Sequence, residues 1–161
     1  FEIELPVSAQ KAAPVSLFTA STHPFPDGHA TGPSGKRVLV IDDEEWILEL
    51  ARELASAEGH SVETAQGGRQ ALELLSRRRF DVIVSDWKMP GLNGLRLYEH
   101  LRAIDPSAAS RVIFMTGDIV SDTFQEFLQA NALTCLSKPF ARGEFRAALA
   151  KMAGTPVEAG R

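Results

Sequence analysis

The sequence has one cysteine, no long apolar run and no extended basic block. With Cys135 alone, the chain can form no internal disulfide, which suits a reducing compartment. No apolar run approaches the roughly 18 residues of a membrane span. Pro6 and Pro14 interrupt the N-terminal stretch where a signal peptide would need an unbroken apolar segment. We therefore expect a soluble, cytoplasmic protein without membrane contact.

Acidic residues outnumber basic ones, 21 to 17. The 161 residues carry a formal net charge of −4, and the longest basic run is Arg77-Arg78-Arg79, which is typical of a helix C-terminus. This charge pattern disfavours a nucleic-acid partner. A hydrophobic fraction of 44% is enough for a substantial core. Length and composition together predict one domain with some chain outside it.

Four segments follow one another along the chain. Residues 1–7 begin with an alternating apolar and charged run, which predicts a short strand. Residues 8–35 are rich in Pro, Ser, Thr, Ala and Gly without periodicity, and we predict a flexible linker there. From residue 36 to 152, strand and helix patterns alternate five times, which indicates βαβ units. Residues 153–161 form a tail too short for another domain.

The patterns within the βαβ region predict the position of each element. Strands are expected at 37–41, 61–65, 80–85, 111–115 and 133–137. Helices are expected at 44–58, 68–78, 94–104, 122–130 and 142–152, with Gly59 and Asp105-Pro106 as stop signals. In the fourth helix Phe124, Phe127 and Leu128 have core spacing, whereas Trp46 lies off the apolar stripe of the first.

The predicted fold class is α/β, a doubly wound five-stranded parallel sheet. The first, third and fourth strands are almost continuously apolar, as strands buried on both faces must be. The second strand alternates and is expected at an edge. Right-handed crossovers with helices on both faces then favour the strand order 2-1-3-4-5.

Polar side chains follow four of these strands. Asp42-Asp43 comes after the first strand, Asp86 after the third, Thr116 after the fourth and Lys138 after the fifth. In such a sheet the strand ends converge on one crevice, where ligands bind. Asp42-Asp43 alone would also fit a helix N-cap with a first-turn acid, and Thr116-Gly117 alone a common turn. Their joint occurrence at successive strand ends favours a site.

Three carboxylates in one crevice need a cation or a proton to offset their repulsion. No His or Cys stands beside them at ligand spacing, which disfavours zinc. Hard oxygen ligands suit Mg²⁺, with water and phosphate oxygens completing its octahedron. We therefore predict a site for Mg²⁺ and a phosphoryl group.

Four short motifs carry these polar residues. They are Ile41-Asp42-Asp43-Glu44, Asp86-Trp87-Lys88-Met89-Pro90-Gly91-Leu92-Asn93-Gly94, Met115-Thr116-Gly117 and Ser137-Lys138-Pro139-Phe140. Together they resemble the signatures of receiver domains of two-component response regulators. The resemblance covers residues 36–152 and implies the flavodoxin-like receiver fold.

By this resemblance Asp86 is the phosphoacceptor, which attacks a phosphohistidine to give an aspartyl phosphate. Mg²⁺ is held by Asp43, Asp86 and the backbone carbonyl of Lys88, with Asp42 acting mainly through a metal-bound water. The implied partner is the dimerisation domain of a histidine kinase or a histidine phosphotransfer domain. The function implied is that of a phosphoacceptor module in phosphorelay signalling.

The same resemblance gives two further residues a catalytic role. Lys138 pairs with the incoming phosphoryl oxygens, and Thr116 hydrogen-bonds one of them after transfer. The Lys138-Pro139 peptide is expected to be cis. A module of this kind catalyses its own phosphorylation and dephosphorylation, and we expect no ATP site in it.

Two departures from the family pattern concern signalling. Cys135 stands where receivers usually carry Tyr or Phe, three residues before the lysine. A small thiol cannot repeat the rotation of that ring, so the signal is expected to travel through the loop after the fourth strand. We interpret Cys135 as a small core residue. Lys88 and Asp118 occupy positions that flank the phosphoryl group in this family; either they form an ion pair that slows the attack of water, or they are separately solvated charges.

Residues 1–7 resemble the last strand of the ATP-binding domain of histidine kinases, which ends in an alternating run closed by Leu-Pro. A kinase terminus, a linker and a receiver follow one another in hybrid sensor histidine kinases, so we interpret the chain as the C-terminal part of one. The alternatives are a stand-alone response regulator that binds a protein target and a metal-dependent phosphatase. The phosphatase is disfavoured because Lys88 stands where such enzymes have a second acid.

Overall fold

The computed structural model describes residues 35–117 and 121–153. The predictions for the kinase remnant, most of the linker, Asp118 and all but the first residue of the tail lie outside the described residues. Strands are β1 Arg37–Ile41, β2 Ser61–Ala65, β3 Val82–Asp86, β4 Val112–Thr116 and β5 Thr134–Ser137. Helices are α1 Glu45–Ala57, α2 Gly68–Arg77, α3 Gly94–Ile104, α4 Pro106–Ala109, α5 Asp122–Ala130 and α6 Arg142–Ala153.

The five strands form one parallel sheet in the order β2-β1-β3-β4-β5, which confirms the predicted topology. Every pairing is parallel, with Val38 beside both Val62 of β2 and Val82 of β3. β3 and β4 are buried along their whole length, whereas β2 at the edge is only partly buried. The apolar strands therefore occupy the middle because both of their faces are covered.

Alternate residues of the central strands enter two separate cores, one on each face of the sheet. On one face, Val38, Val40, Val82 and Val84 pack against α1 and α6. On the other face, strand residues pack against α2, α3 and α5; this core includes Leu39, Ile83, Leu97, Leu101, Phe114 and Phe124. Unbroken apolar strands are what such a two-sided core requires.

Helix ends follow local chemistry that the sequence signals. Asn93 caps α3 by accepting a hydrogen bond from the Arg96 N–H at 3.0 Å. Gly59, the predicted stop after the first helix, has a φ of +86°. The predicted stop at Asp105-Pro106 is correct but incomplete, because Asp105 also caps the short helix α4 that the sequence reading missed. Proline in the first turn fits that helix start.

Two strands end one residue later than predicted. Asp86 and Thr116 are the last residues of β3 and β4, not the first residues after them. The ladder continues there because the Trp87 N–H donates to the Met115 carbonyl at 2.8 Å, and Thr116 pairs in register with Ser137. Within the residues described, no helix is long and apolar enough to cross a membrane.

Gly94 begins α3 directly beneath the end of β3. A Cβ at this position would lie 2.6 Å from the Asp86 carbonyl oxygen and 3.0 Å from the Trp87 Cα. The Gly94 N–H also donates to the Trp87 carbonyl at 3.1 Å. The missing side chain therefore allows the helix to hold the turn that carries Asp86.

We expect Gly94→Ala to destabilise the domain by about 1–3 kcal/mol, because the added methyl group meets backbone that cannot move aside. Urea unfolding measures the effect. Gly143→Ala is the matched control, since nothing lies within 4 Å of a Cβ there. Equal stabilities of the two variants would contradict the close approach at Gly94.

Candidate functional site

The sheet brings the predicted polar residues together at its carboxyl edge. Because Ile41 pairs with Ser85 and Asp86 pairs with Met115, the ends of β1, β3 and β4 lie side by side. Asp42 is fully buried there, and Asp86 and Thr116 are only 5% and 4% exposed. Three polar side chains at the end of an apolar sheet indicate a function beyond packing.

Asp42, Asp43 and Asp86 form an acidic cluster. One carboxylate oxygen from each of them lies within 4.8 Å of the others. Asp42 does not cap α1 by its side chain; its Oδ1 accepts a hydrogen bond from the Glu44 N–H at 2.9 Å, one residue before the helix. The purely structural alternative for the acid pair is therefore not supported, and Asp43 leaves its carboxylate exposed at the mouth of the cluster.

Lys138 supplies the positive charge of the site. Its Nζ lies 2.6 Å from Asp42 Oδ2 and 3.4 Å from Asp86 Oδ2. The Lys138 N–H donates to the Thr116 carbonyl at 2.7 Å, which anchors the loop after β5 to β4. The Lys138-Pro139 peptide is cis, as the resemblance implied.

Burial and charge shift the pKa values of these groups. Burial, with a smaller effect of the Asp42 charge, raises the pKa of Asp86 to about 6, although Lys138 opposes the shift. Burial also raises the pKa of Asp42. Burial would lower the pKa of Lys138, but its hydrogen bond to Asp42 and the two carboxylate charges raise it overall. The lysine is thus cationic and shared between two acids.

The donor atoms of this site fit Mg²⁺. Three carboxylate oxygens converge, and among the described residues no His or Cys joins the cluster. Hard oxygen donors that leave several positions to water and phosphate are the environment Mg²⁺ prefers. Burial is the main cause of the raised pKa of Asp86, and a divalent cation would also offset the smaller contribution of the Asp42 charge.

An open groove lies beside the acidic cluster. Asp43 lines it together with residues of the loop after β3, namely Trp87, Lys88, Met89, Pro90 and Asn93, and with Leu95 of α3. The Lys88 N–H is 3.4 Å from Asp86 Oδ1, so this loop also contacts the buried carboxylate. The groove therefore opens beside Asp43, on the exposed side of the acidic cluster.

Two residues near the site were not assigned by sequence reasoning. Glu44 Oε1 lies 3.9 Å from Lys138 Nζ, while Glu44 Oε2 accepts a hydrogen bond from the Trp46 indole N–H at 2.7 Å. Trp87 packs on aromatic side chains of β4 and α5. In the sequence Glu44 follows Asp43 and Trp87 follows Asp86, which could have indicated that both lie near the site. This adjacency does not identify the residues that they contact.

Cys135 behaves as the predicted small core residue. It is partly buried and packs against the core that contains Phe114 and Phe124. Burial raises the pKa of the thiol to about 11, so the thiolate is scarce near neutral pH. Phe124 is buried, and Phe127 and Leu128 pack on the same core, as their spacing predicted.

The fold and site define a doubly wound α/β domain with an acidic cluster at the carboxyl edge of its sheet. The family model of the response regulator receiver domain matches residues 38–150. The chain belongs to this family and is a phosphoacceptor receiver domain of two-component signalling.

The chain aligns with nearly the whole length of one curated relative and with a small part of another. It is 34% identical over 116 residues to sporulation initiation phosphotransferase F of Bacillus subtilis (strain 168), with 72% of this chain and 92% of that protein aligned. It is 27% identical over 156 residues to the sensory/regulatory protein RpfC of Xanthomonas campestris pv. campestris (strain ATCC 33913), with 94% of this chain but only 22% of that protein aligned.

A solved relative is the response regulator TrrA of Thermotoga maritima, whose structure is a complex with Mg²⁺ and BeF. It has 30% sequence identity and a TM-score of 0.63, and the match covers 73% of this chain and 98% of that one. The match supports both the fold and the family.

We expect Asp86→Asn to raise the free energy of unfolding at pH 7 to 8, without Mg²⁺, by about 1–3 kcal/mol. The folded pKa of Asp86, about 6, exceeds the usual 3.8. Ionisation of Asp86 therefore lowers the free energy of unfolding most above the folded pKa. Below the unfolded pKa it has no such effect. Urea unfolding in EDTA from pH 4 to 8 tests this.

The gain should shrink strongly toward pH 4, because the folded carboxyl is then protonated and the pH lies close to the unfolded pKa of 3.8. Asp43→Asn is the control, because that carboxylate is exposed and its removal should change stability less. A gain that is the same at pH 4 and pH 8 would show that something other than the raised pKa of Asp86 is responsible.

Proposed function

We propose that Asp86 is the residue that accepts the phosphoryl group, and that the donor is a phosphohistidine of a histidine kinase or a histidine phosphotransfer domain. The observation that carries this proposal is the position of its carboxylate. It is buried at the end of β3, contacts Lys138 at 3.4 Å and belongs to the acidic cluster beside an open groove.

In the transfer step an Asp86 carboxylate oxygen attacks phosphorus while the bond from phosphorus to the imidazole nitrogen breaks. The electron pair of that bond stays on the nitrogen, and the product is an acyl phosphate on Asp86. The reaction needs positioning and neutralisation of charge more than covalent chemistry from other residues. A protonated Asp86 is a poor nucleophile, so a bound cation would favour the step by keeping this carboxyl ionised.

Lys138 and Thr116 complete the phosphoryl site in this proposal. Lys138 is cationic between Asp42 and Asp86 and can exchange a carboxylate for an incoming phosphoryl oxygen. Thr116 ends β4, whose pairing with β3 places it at the same edge of the sheet. Its hydroxyl is the proposed donor to a phosphoryl oxygen after transfer.

We further propose that Asp42, Asp43, Asp86 and the backbone carbonyl of Lys88 hold Mg²⁺. The ion would offset the negative charge shared by the carboxylates and the phosphoryl oxygens. The convergent oxygens of the acidic cluster support this assignment. The related response regulator TrrA was solved in complex with Mg²⁺ and BeF, which also supports the assignment.

Mg²⁺ is expected to change the fluorescence of Trp87, which lines the groove next to Asp86. A Trp46→Phe background removes the other tryptophan of the chain. Asp43→Asn should weaken Mg²⁺ binding by about tenfold or more, since it removes a full charge from the site. Glu45→Gln removes an exposed acid two residues away and should leave binding nearly unchanged. Equal affinities of the two variants would refute the metal site.

Incubation with Mg²⁺ and a small acyl phosphate should add one phosphoryl group to the wild type, seen by intact-protein mass. Asp86→Asn should show no adduct, and the exposed control Asp122→Asn should react normally. Lys138→Ala should slow the reaction by about 100-fold, because it removes the cation that neutralises the developing charge. An adduct on Asp86→Asn would assign the acceptor to another residue.

We also propose that the receiver, at residues 36–152, follows a kinase domain through the linker 8–35, as in a hybrid sensor kinase. The alignment with RpfC supports this, because it covers 94% of the chain and so extends well beyond the receiver. A cytoplasmic location fits the single cysteine. A stand-alone regulator is the second candidate, supported by the 92% coverage of phosphotransferase F. Sequencing the gene ahead of the codon for Phe1 would distinguish a hybrid sensor kinase from a stand-alone regulator.

A further inference from the structure

Trp87 follows the proposed phosphoacceptor directly, and its backbone is fixed on both sides. Its N–H donates to the Met115 carbonyl at 2.8 Å, and its own carbonyl accepts from the Gly94 N–H at 3.1 Å. A shift of the Asp86 backbone must therefore be transmitted to this residue. The indole lies on the face of the sheet that carries α5.

The indole of Trp87 is part of an aromatic cluster. Its ring centroid lies 4.1 Å from that of Phe124 and 5.4 Å from that of Phe127, both on α5. It also meets Phe114 of β4 edge-on at 5.2 Å. Ring contacts of this kind add stabilisation beyond simple burial. One side chain thus connects the end of β3 to two turns of α5.

The ring contacts of Phe124 and Phe127 are a large part of the packing between α5 and the rest of the domain. Phe124 is the one residue of this helix that is fully buried. Among the described elements, α1, α2, α3, α4 and α6 each approach a neighbouring strand or helix closely along their backbones, whereas α5 approaches its neighbours mainly through side chains. An element with sparse backbone packing is easily displaced.

Strand β5 adds no ring to this cluster. Cys135 stands beside Phe114 in the register of β4 and β5, so its side chain shares that face of the sheet. The thiol contributes no ring to the cluster. Among the described rings that contact α5, Trp87 follows Asp86 directly and lies 4.1 Å from Phe124, closer than Phe114 at 6.1 Å.

We infer that Trp87 is a positioning residue that couples the state of Asp86 to the position of α5 through its contact with Phe124. This inference rests on the proposed function of Asp86 and adds the route by which phosphorylation is communicated. When Asp86 and its loop rearrange around a phosphoryl group, the indole repacks and α5 moves with it. Because coupling is reciprocal, loosening α5 must also weaken the phosphorylated state.

Hydrogen–deuterium exchange of α5, measured with and without phosphorylation by a small acyl phosphate and Mg²⁺, tests the coupling. In the wild type, phosphorylation should change the exchange rates of the α5 amides by about fivefold or more. Trp87→Ala should still accept the phosphoryl group but should lose this change, and Trp87→Phe should restore part of it. Rescue by a second ring distinguishes coupling from simple loss of packing.

Phe124→Leu tests the same contact from the other side and keeps an apolar residue in case Trp87→Ala folds poorly. It should shorten the lifetime of the phosphorylated state by about fivefold, although Phe124 is remote from the reacting atoms. Phe145→Leu is the matched control, because Phe145 is equally buried but packs on the opposite face of the sheet. Its phosphorylated state should keep the wild-type lifetime.

The outcomes separate this inference from the function on which it rests. Absence of a phosphoryl adduct in the wild type, together with no response to Mg²⁺ and BeF, would overturn both. Normal phosphorylation of Trp87→Ala with an undiminished change in α5 exchange would overturn the coupling alone. Equal effects of Phe124→Leu and Phe145→Leu on the lifetime would also overturn it, since they would reflect general destabilisation.

Discussion

The ammonium group of Lys138, shared between Asp42 and Asp86, is the interaction on which the site depends. Two carboxylates buried at the end of an apolar sheet would repel each other strongly without a cation between them. The lysine lies 2.6 Å and 3.4 Å from them, which lets the sheet end in charged residues and still fold. The same cation is then already in place when a phosphoryl group arrives, so little reorganisation is needed during transfer.

The rest of the fold serves to place these charges. Each side chain is held by a strand end or the loop that follows it, and the strands are fixed by cores on both faces. The loop that carries Lys138 is bonded to Thr116, and the loop after β3 is held against Gly94. The reactive groups are therefore attached to a rigid sheet, while access comes from the loops between them.

Much of this arrangement was predictable from the sequence. The apolar strands fixed the sheet order, and the polar residues at their ends indicated the site, because strand ends must converge in a parallel sheet. Helix α4 was missed because Asp105-Pro106 signals a stop and a start equally well. The contacts of Glu44 with Lys138 and of Trp87 with Phe124 could not be predicted, since they join residues far apart in the chain through side-chain conformation.

The chain enters the domain at the edge of the sheet opposite the site. Lys36 donates its N–H to His60 Nδ1 and accepts from the Ser61 N–H just before β1 begins, whereas Asp42 and Asp43 follow its end. The length of β1 separates these points by about 15 Å. A donor tethered to the chain ahead of Gly35 would therefore have to cross at least this distance to meet Asp86. The tether would set the effective concentration of that donor, leaving the reactive face equally open to a donor on another chain.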